Sequence, residues 1–298
     1  MLVGSSPEVW KGISFLDCAF FLFIVKFSLL INMFWLLLFS HMVAAWFTPI
    51  PDPNEVFNFW EPLHFLVYGK GQEAWEYSPE YAVRSYLFIC LHALPAYFLK
   101  VLGIEGVVAF KMLRLLWGGL SAFCKYKLLK RLEASDLTYY FFAISTGMFM
   151  ASHTLLPSTF CMNYYCLAVS YFLKFYKTGR RRYLFVALLS CAFSMFVGWP
   201  FAVVFPAFFI LPYIKKYPKY LCKGELWGLG VLSLGVTLVP AWLVDSYFYG
   251  RNALGIWNLI KYSLGGTATN PYSVLFGTDP WYVYCFNLFL NFNFVRLT

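Results

Sequence analysis

Charge is what this sequence has least of. Asp, Glu, Lys and Arg supply only 12% of its 298 residues and 61% are hydrophobic, whereas an ordinary soluble domain is about 25% charged. Together with a mean hydropathy of +0.64, this excludes a soluble globular class and identifies an all-α polytopic membrane protein. The net charge of +9 comes from short basic clusters between apolar runs. That pattern fits membrane-flanking loops and no nucleic-acid partner. The eight cysteines include no CxxC, fall mostly within apolar runs, and imply neither a disulfide framework nor a zinc site. His41, His64, His92 and His153 are dispersed and give no metal-ligand spacing. Internal repeats and low-complexity stretches are also missing, so residues 1–298 read as one membrane domain.

Against this background one stretch is conspicuously polar. Residues 48–85 hold six of the fourteen carboxylates, Asp52, Glu55, Glu61, Glu73, Glu76 and Glu80, against Lys70 and Arg84. Phe57, Phe59, Trp60, Phe65, Tyr68, Trp75, Tyr77 and Tyr81 are interleaved with them, a mixture favoured where rings meet a membrane interface. This is the candidate active-site loop.

A span needs about 20 apolar residues, which residues 28–47 provide; residues 13–25 either extend that helix or form a signal-like segment without a small-residue cleavage site. Further apolar segments at 86–102, 106–123, 138–152, 157–176, 183–213, 226–244 and 281–297 bring the expected total to roughly eight spans. Gly198-Trp199-Pro200 predicts a break in the longest of them. The cluster Lys215, Lys216, Lys219 and Lys223 assigns 214–225 to the cytoplasmic side. The second long loop, 245–280, then shares a side with the first if 183–213 crosses once. The clusters Lys125–Arg131 and Arg180–Arg182 conflict with that count.

Within the first loop, Asp52-Pro53-Asn54-Glu55 matches a helix start, with Asp52 as N-cap and Glu55 reaching back. The functional reading makes Glu55, or Asp52, a general base turned toward a cleft, on the face of Asn58 and away from Phe57 and Trp60. Ser78-Pro79-Glu80 predicts a second start, for a helix carrying Arg84. Arg84 either snorkels to lipid headgroups or offers its planar fork to a lipid phosphate. Lys111 and Arg114, three apart in an apolar segment, either snorkel or serve a site within the membrane. Asp245 and Asp279 flank the second loop and either meet the first loop across a cleft or are solvated or capping carboxylates. A carboxylate near a phosphate-binding cation suits glycosyl transfer from a lipid phosphate: the base accepts the attacking hydroxyl's proton as that group becomes acidic, and the cation stabilises the departing phosphate. Charged and aromatic residues lining a transporter or scramblase pathway are the alternative.

The stretch Glu55 to Tyr86, EVFNFWEPLHFLVYGKGQEAWEYSPEYAVRSY, resembles the first luminal loop of the endoplasmic-reticulum dolichyl-phosphate-mannose α-1,2-mannosyltransferases of lipid-linked oligosaccharide assembly, glycosyltransferase family 22. LLPSTFCMNYY (155–165), GWPFA (198–202), DSYFYGR (245–251) and GTDPWYVYCFNLFLNFN (277–293) are similar to the same family, in order. The resemblance runs from about residue 28 almost to the last residue. It implies a GT-C-type helix bundle with short interfacial helices in a luminal loop after the first span, in the endoplasmic-reticulum membrane. The implied reaction moves mannose, with inversion, from dolichyl phosphate mannose to a dolichyl-diphosphate-linked oligosaccharide in N-glycosylation, with no metal and no further cofactor. Glu55 and Asp52 are then the catalytic candidates. Arg84, Asn58, Trp60, Glu61, Trp75, Glu76, Tyr77, Arg114 and Arg251 are the substrate-binding ones. The family usually has an Asp-Glu pair where this chain has Asn54-Glu55, and an amide cannot be the base. The family also continues through further spans, so a C-terminally truncated and inactive form is one alternative; a mannosyltransferase acting on a GPI precursor is another.

Overall fold

A computed structural model describes residues 32–204, 211, 224–264 and 280–291, all of whose regular elements are helical. The readings placed on residues 13–25, on the lysines at 215–223 and on Asp279 lie outside the described residues.

Helix α1, Met33–Phe47, starts where the Asn32 side chain accepts from Phe34 N at 3.1 Å, and it stops at Thr48, ahead of Pro49 and Pro51, which cannot continue a helix. Leu37, His41, Ala44 and Ala45 form its buried face. Trp35, Phe39 and Phe47 point outward, more than half exposed, as an apolar face meeting lipid would be. The buried face packs on a 26-residue helix, Gly106–Arg131. A Cβ at Gly118 of that helix would lie 3.1 Å from His41 O, so the missing side chain sets how closely the two backbones approach.

Between these two helices lie the first loop and two further helices. A π-helical turn, Glu55–Trp60, runs into α2, Glu61–Tyr68, which ends on Gly69 at φ 72° in the left-handed cap that glycine accepts without strain. Pro62 at the start of α2 has no N–H to give the preceding turn, and the wider π register lies just upstream of it. A short 3-10 turn, Trp75–Tyr77, precedes α3, Tyr86–Val101, whose N-cap is Ser85. The helix expected from Ser78 does not form. Ser78 to Val83 instead fold as a turn in which Val83 N donates back to Glu76 O at 3.0 Å and Ala82 takes φ 46°, a conformation no right-handed helix contains.

Gly106–Arg131 is α4. The apolar segment 138–152 is two helices, α5 (Asp136–Ile144) and α6 (Thr146–Ala151), rather than one span. Ser145 divides them by capping α6 through Met148 N, the local competition that serine offers to a continuing helix. Helix α7, Pro157–Thr178, turns at Gly179 into α8, Arg181–Phe193. The break at Gly198-Trp199-Pro200 is present: a π turn, Ser194–Gly198, closes α8, Trp199 is extended, and a 3-10 segment follows from Pro200 to Val204. Beyond it come α9 (Gly224–Tyr249), α10 (Gly255–Leu264) and α11 (Trp281–Asn291).

Among the described residues, three helices are long and apolar enough to cross a membrane: Gly106–Arg131, Arg181–Gly198 and Leu226–Tyr249. Met33–Phe47 and Tyr86–Val101 are apolar but shorter. The sequence led us to expect roughly eight spans over the whole chain; among the described residues one of the expected segments, 138–152, is divided at Ser145. The main core cluster gathers Phe59, Leu63 and Tyr77 of the first loop with Phe88, Phe110, Phe160 and Tyr249, so the loop is a packed part of the helix bundle. At the edge of this core Gly255 is pressed against the first loop, where a Cβ would come within 2.6 Å of Arg84 O; a Cβ at Gly228 would meet nothing. Gly255→Ala is therefore expected to destabilise the folded chain by about 1–3 kcal/mol and Gly228→Ala, inside a helix with open space, to leave it as stable or up to about 1 kcal/mol more so, as read from thermal melts in detergent.

Candidate active site

Two polar nodes organise the first loop. The first surrounds Glu55, which is fully buried. Its Oε1 accepts from Leu155 N at 2.9 Å and lies 3.5 Å from Arg114 Nε, while its Oε2 has no protein partner. Arg114, also buried, donates through Nη1 to Thr48 O at 3.2 Å. Its Nη2 reaches Thr48 Oγ1 at 3.3 Å, Pro49 O at 3.4 Å and His153 Nε2 at 2.5 Å. A guanidinium has only donors to offer, so His153 Nε2 is the unprotonated acceptor nitrogen of a neutral ring. Burial, with Arg114 and Lys125 nearby, holds the His153 ring at a pKa of about 3. Burial also raises the Glu55 carboxyl above the usual carboxylate range, against the opposing pull of Arg114 and the Leu155 N–H.

This placement changes the part expected of Glu55. A carboxylate turned toward a cleft or membrane surface does not match one enclosed beneath the turn at 152–156, with its partners on α4 and that turn. Nor does it reach back to cap its own helix. Asp52 does the local capping, accepting from Asn54 N on Oδ1 at 2.9 Å, and it is half-buried. Asn58 is half-buried, its Nδ2 donating to Asn54 Oδ1 at 3.0 Å. Phe57 is exposed while Trp60 is buried against Phe110 and His64, so those two rings do not share the one face expected of them.

The second node is Arg84 with Glu76, a two-pronged pair with Nε to Oε2 at 2.8 Å and Nη2 to Oε1 at 3.1 Å. The guanidinium carbon lies 5.2 Å from the centre of the Phe59 ring, four residues along from Glu55. Three of the five N–H groups of Arg84 are left over by this pairing, and the residue lines a narrow cleft with Phe59, Tyr77, Phe88, Gly198 and Ile256. The cleft thus brings the first loop, the GWP break and the second loop to one place.

The remaining predicted residues divide between core and surface. Tyr77 is 1% exposed and donates to Asn58 O at 3.0 Å. Glu61 is half-buried beside Gly71, where a Cβ would come within 2.9 Å of Glu61 Oε2. Trp75 is 52% exposed, edge-on to Tyr81, and lies outside the cleft. Arg251 is exposed and donates to Glu80 O at 3.1 Å. Lys111, the companion of Arg114 in sequence, instead lies over the Trp46 ring at 4.9 Å. Sequence reasoning missed Thr48 and His153, which show no spacing that links them to Glu55. Asp245 meets the first loop, as one of its readings held, and does so as a buried cap rather than a solvated carboxylate: it accepts from Ser85 Oγ at 2.9 Å and from Tyr86 N and Gly255 N at 2.8 Å. Among the described residues no three His, Cys, Asp or Glu side chains form a group that could hold a metal ion.

Comparison with known proteins gives these nodes a context. The profile of the Alg9-like mannosyltransferase family matches residues 32–298. The α-1,2-mannosyltransferase ALG9 of Mus musculus is 38% identical over 86% of this chain and 41% of its own length. That of Schizosaccharomyces pombe is 35% identical over 90% and 48%. A GPI α-1,2-mannosyltransferase 3 of Danio rerio is more distant, 26% identical over 79% and 43%. The chain therefore spans less than half the length of the curated relatives it matches. No solved structure matches it.

Two outcomes follow from the first node. Removing one partner of a buried ion pair costs about 3–5 kcal/mol, so Glu55→Gln and Arg114→Met should each lower the melting temperature sharply, and the double variant should be more stable than either. For His153, the unfolded ring protonates near pH 6.5 and the folded one only near 3. Its stabilising contribution is therefore full above about pH 6.5 and is lost as pH falls toward 3. His153→Gln should flatten the pH dependence of the melting temperature in that window.

Proposed function

The chain belongs to the Alg9-like mannosyltransferase family, and from that premise we propose that it takes part in transferring mannose from dolichyl phosphate mannose to a dolichyl-diphosphate-linked oligosaccharide in the endoplasmic reticulum, with the first loop on the luminal side. The observation that carries the reading is the placement of two half-buried polar groups about the segment 55–60. Asp52 precedes the segment and is half-buried, and Arg84 lies over Phe59 within it and lines the narrow cleft. The greater similarity to ALG9 proteins than to the GPI enzyme supports an acceptor of the N-glycan type.

In the proposed reaction a mannose hydroxyl of the acceptor attacks C1 of the donor mannose from the face opposite the phosphate. The C1–O bond to phosphate breaks, the configuration inverts, and dolichyl phosphate departs. Asp52 takes the hydroxyl proton. A carboxylate is too weak a base to remove that proton beforehand and acts only as the oxygen acidifies in the transition state. Arg84 meets the phosphate with the edge that Glu76 leaves free, so charge on the leaving oxygen grows beside a fixed cation. Glu76 holds the guanidinium plane in orientation. Glu55 supports the segment from beneath, with Arg114 as its counter-charge. Asn58 and Glu61 border the segment, and Arg251 ties the two loops together.

The base and the support are separable by experiment. Membranes containing the chain are given labelled dolichyl phosphate mannose and a lipid-linked acceptor. Asp52→Asn should lower transfer by about 10²–10⁴-fold while shifting stability by less than about 0.5 kcal/mol. Transfer that survives Asp52→Asn would remove Asp52 from the mechanism.

A further inference from the structure

We infer that Asp245 is a positioning residue for Arg84: it pins the first-loop arm 80–86 to the second loop by capping two helices at once. The inference rests on the donor-phosphate role proposed above for Arg84. Asp245 is fully buried, and its carboxylate is surrounded by donors. Oδ1 takes Ser85 Oγ and Tyr86 N at the start of α3, and Oδ2 takes Gly255 N at the start of α10. The first N–H groups of a helix have no partner within it and carry partial positive charge. One anion therefore completes two helix starts that are distant in sequence.

The arm between Glu80 and Tyr86 is held at further points by the same region. Tyr249 Oη donates to Arg84 O at 2.5 Å, Asn258 Nδ2 to Ala82 O at 3.1 Å and Arg251 Nη2 to Glu80 O at 3.1 Å. Gly255 leaves no room for a Cβ against Arg84 O. Gripping of this kind is needed because the arm is not a conformation the chain prefers: Ala82 has φ 46°, which persists only where the surroundings enforce it. Arg84 immediately precedes the N-cap Ser85, so the backbone that carries its guanidinium is fixed from the side of Asp245. Glu76 fixes the guanidinium itself from the other side. Asp245 thus acts through Arg84 without lining the cleft.

The test uses the whole chain in lipid nanodiscs, with dolichyl phosphate as the probe. Asp245→Asn keeps the size but leaves one accepting oxygen for three donors. Amide hydrogen exchange over residues 80–86 should quicken at least severalfold while residues 61–68 are unchanged. Dolichyl phosphate binding should weaken roughly tenfold. In an Arg84→Ala background the same change should alter binding by less than about twofold, because coupled residues are not additive. Ser85→Ala, which removes one contact of the three, should shift both readouts the same way by less. Unchanged exchange at 80–86, a uniform rise across the chain with Ser85→Ala silent, or equal binding losses with and without Arg84 would each overturn the assignment. A parent chain that binds no dolichyl phosphate overturns the donor reading itself, and the exchange result then decides alone whether Asp245 holds the arm.

Discussion

A carboxylate and a guanidinium buried together, Glu55 and Arg114, constrain the rest of this structure most strongly. Neither charge can be left alone away from water. The requirement joins four parts of the chain: the end of α1 through Thr48 and Pro49, the π-helical start of the first loop, the middle of α4, and the turn that carries His153 and Leu155. The pair is not fully knitted, since Glu55 Oε2 and Arg114 Nε lack hydrogen-bond partners. Its surroundings compensate with neutral groups, and His153 contributes a lone pair only because its ring stays unprotonated. With Glu55 tied down, the outward carboxylate at the start of the loop is Asp52.

The two nodes divide the work of the loop. The Glu55 node is an anchor with little access to anything that diffuses, whereas the Arg84 node is half-open and keeps donor capacity in reserve. Phe59 connects them: it belongs to the segment that Glu55 anchors, and it supplies the ring under Arg84. Its other neighbour, Phe88, extends that contact into α3 and the main core. Displacing the anchored segment would therefore move the surface on which the cation rests, a mechanical coupling that needs no direct contact between the charges.

Much of this was legible in the sequence. Apolar runs located the helices, the GWP break fell where proline and glycine placed it, and the acidic-aromatic stretch marked the loop around which the polar nodes form. What escaped was long-range. Ser78-Pro79-Glu80 has the residues of a helix start, but the donor back-bond from Val83 to Glu76 closes a turn there. The actual cap, Ser85, works with an aspartate 160 residues away. Likewise nothing local reveals that Glu55, in the most acidic stretch of the chain, turns inward, because its partners lie on α4 and beyond Ala151. Arg114 was suspicious as a charge in an apolar segment, and Lys111 had the same signal. Only the packing distinguishes the residue that faces Glu55 from the one that covers Trp46.

The amide at residue 54 bears on whether the site can work without the Asp-Glu pair usual in the family. Asn54 is exposed, and its side-chain oxygen accepts from Asn58 one turn later, while its backbone N–H is held by Asp52. None of these contacts touches the Glu55–Arg114 pair. A carboxylate at 54 would occupy the same outward position and could accept the same bond from Asn58, but it would add a second negative charge two residues from Asp52, where neighbouring like charges disfavour ionisation. The amide keeps the cap geometry and removes that repulsion. Because the anchoring function belongs to Glu55 and the outward carboxylate is Asp52, the departure at 54 leaves both in place. In the proposed reaction it leaves Asp52 as the carboxylate that takes the proton.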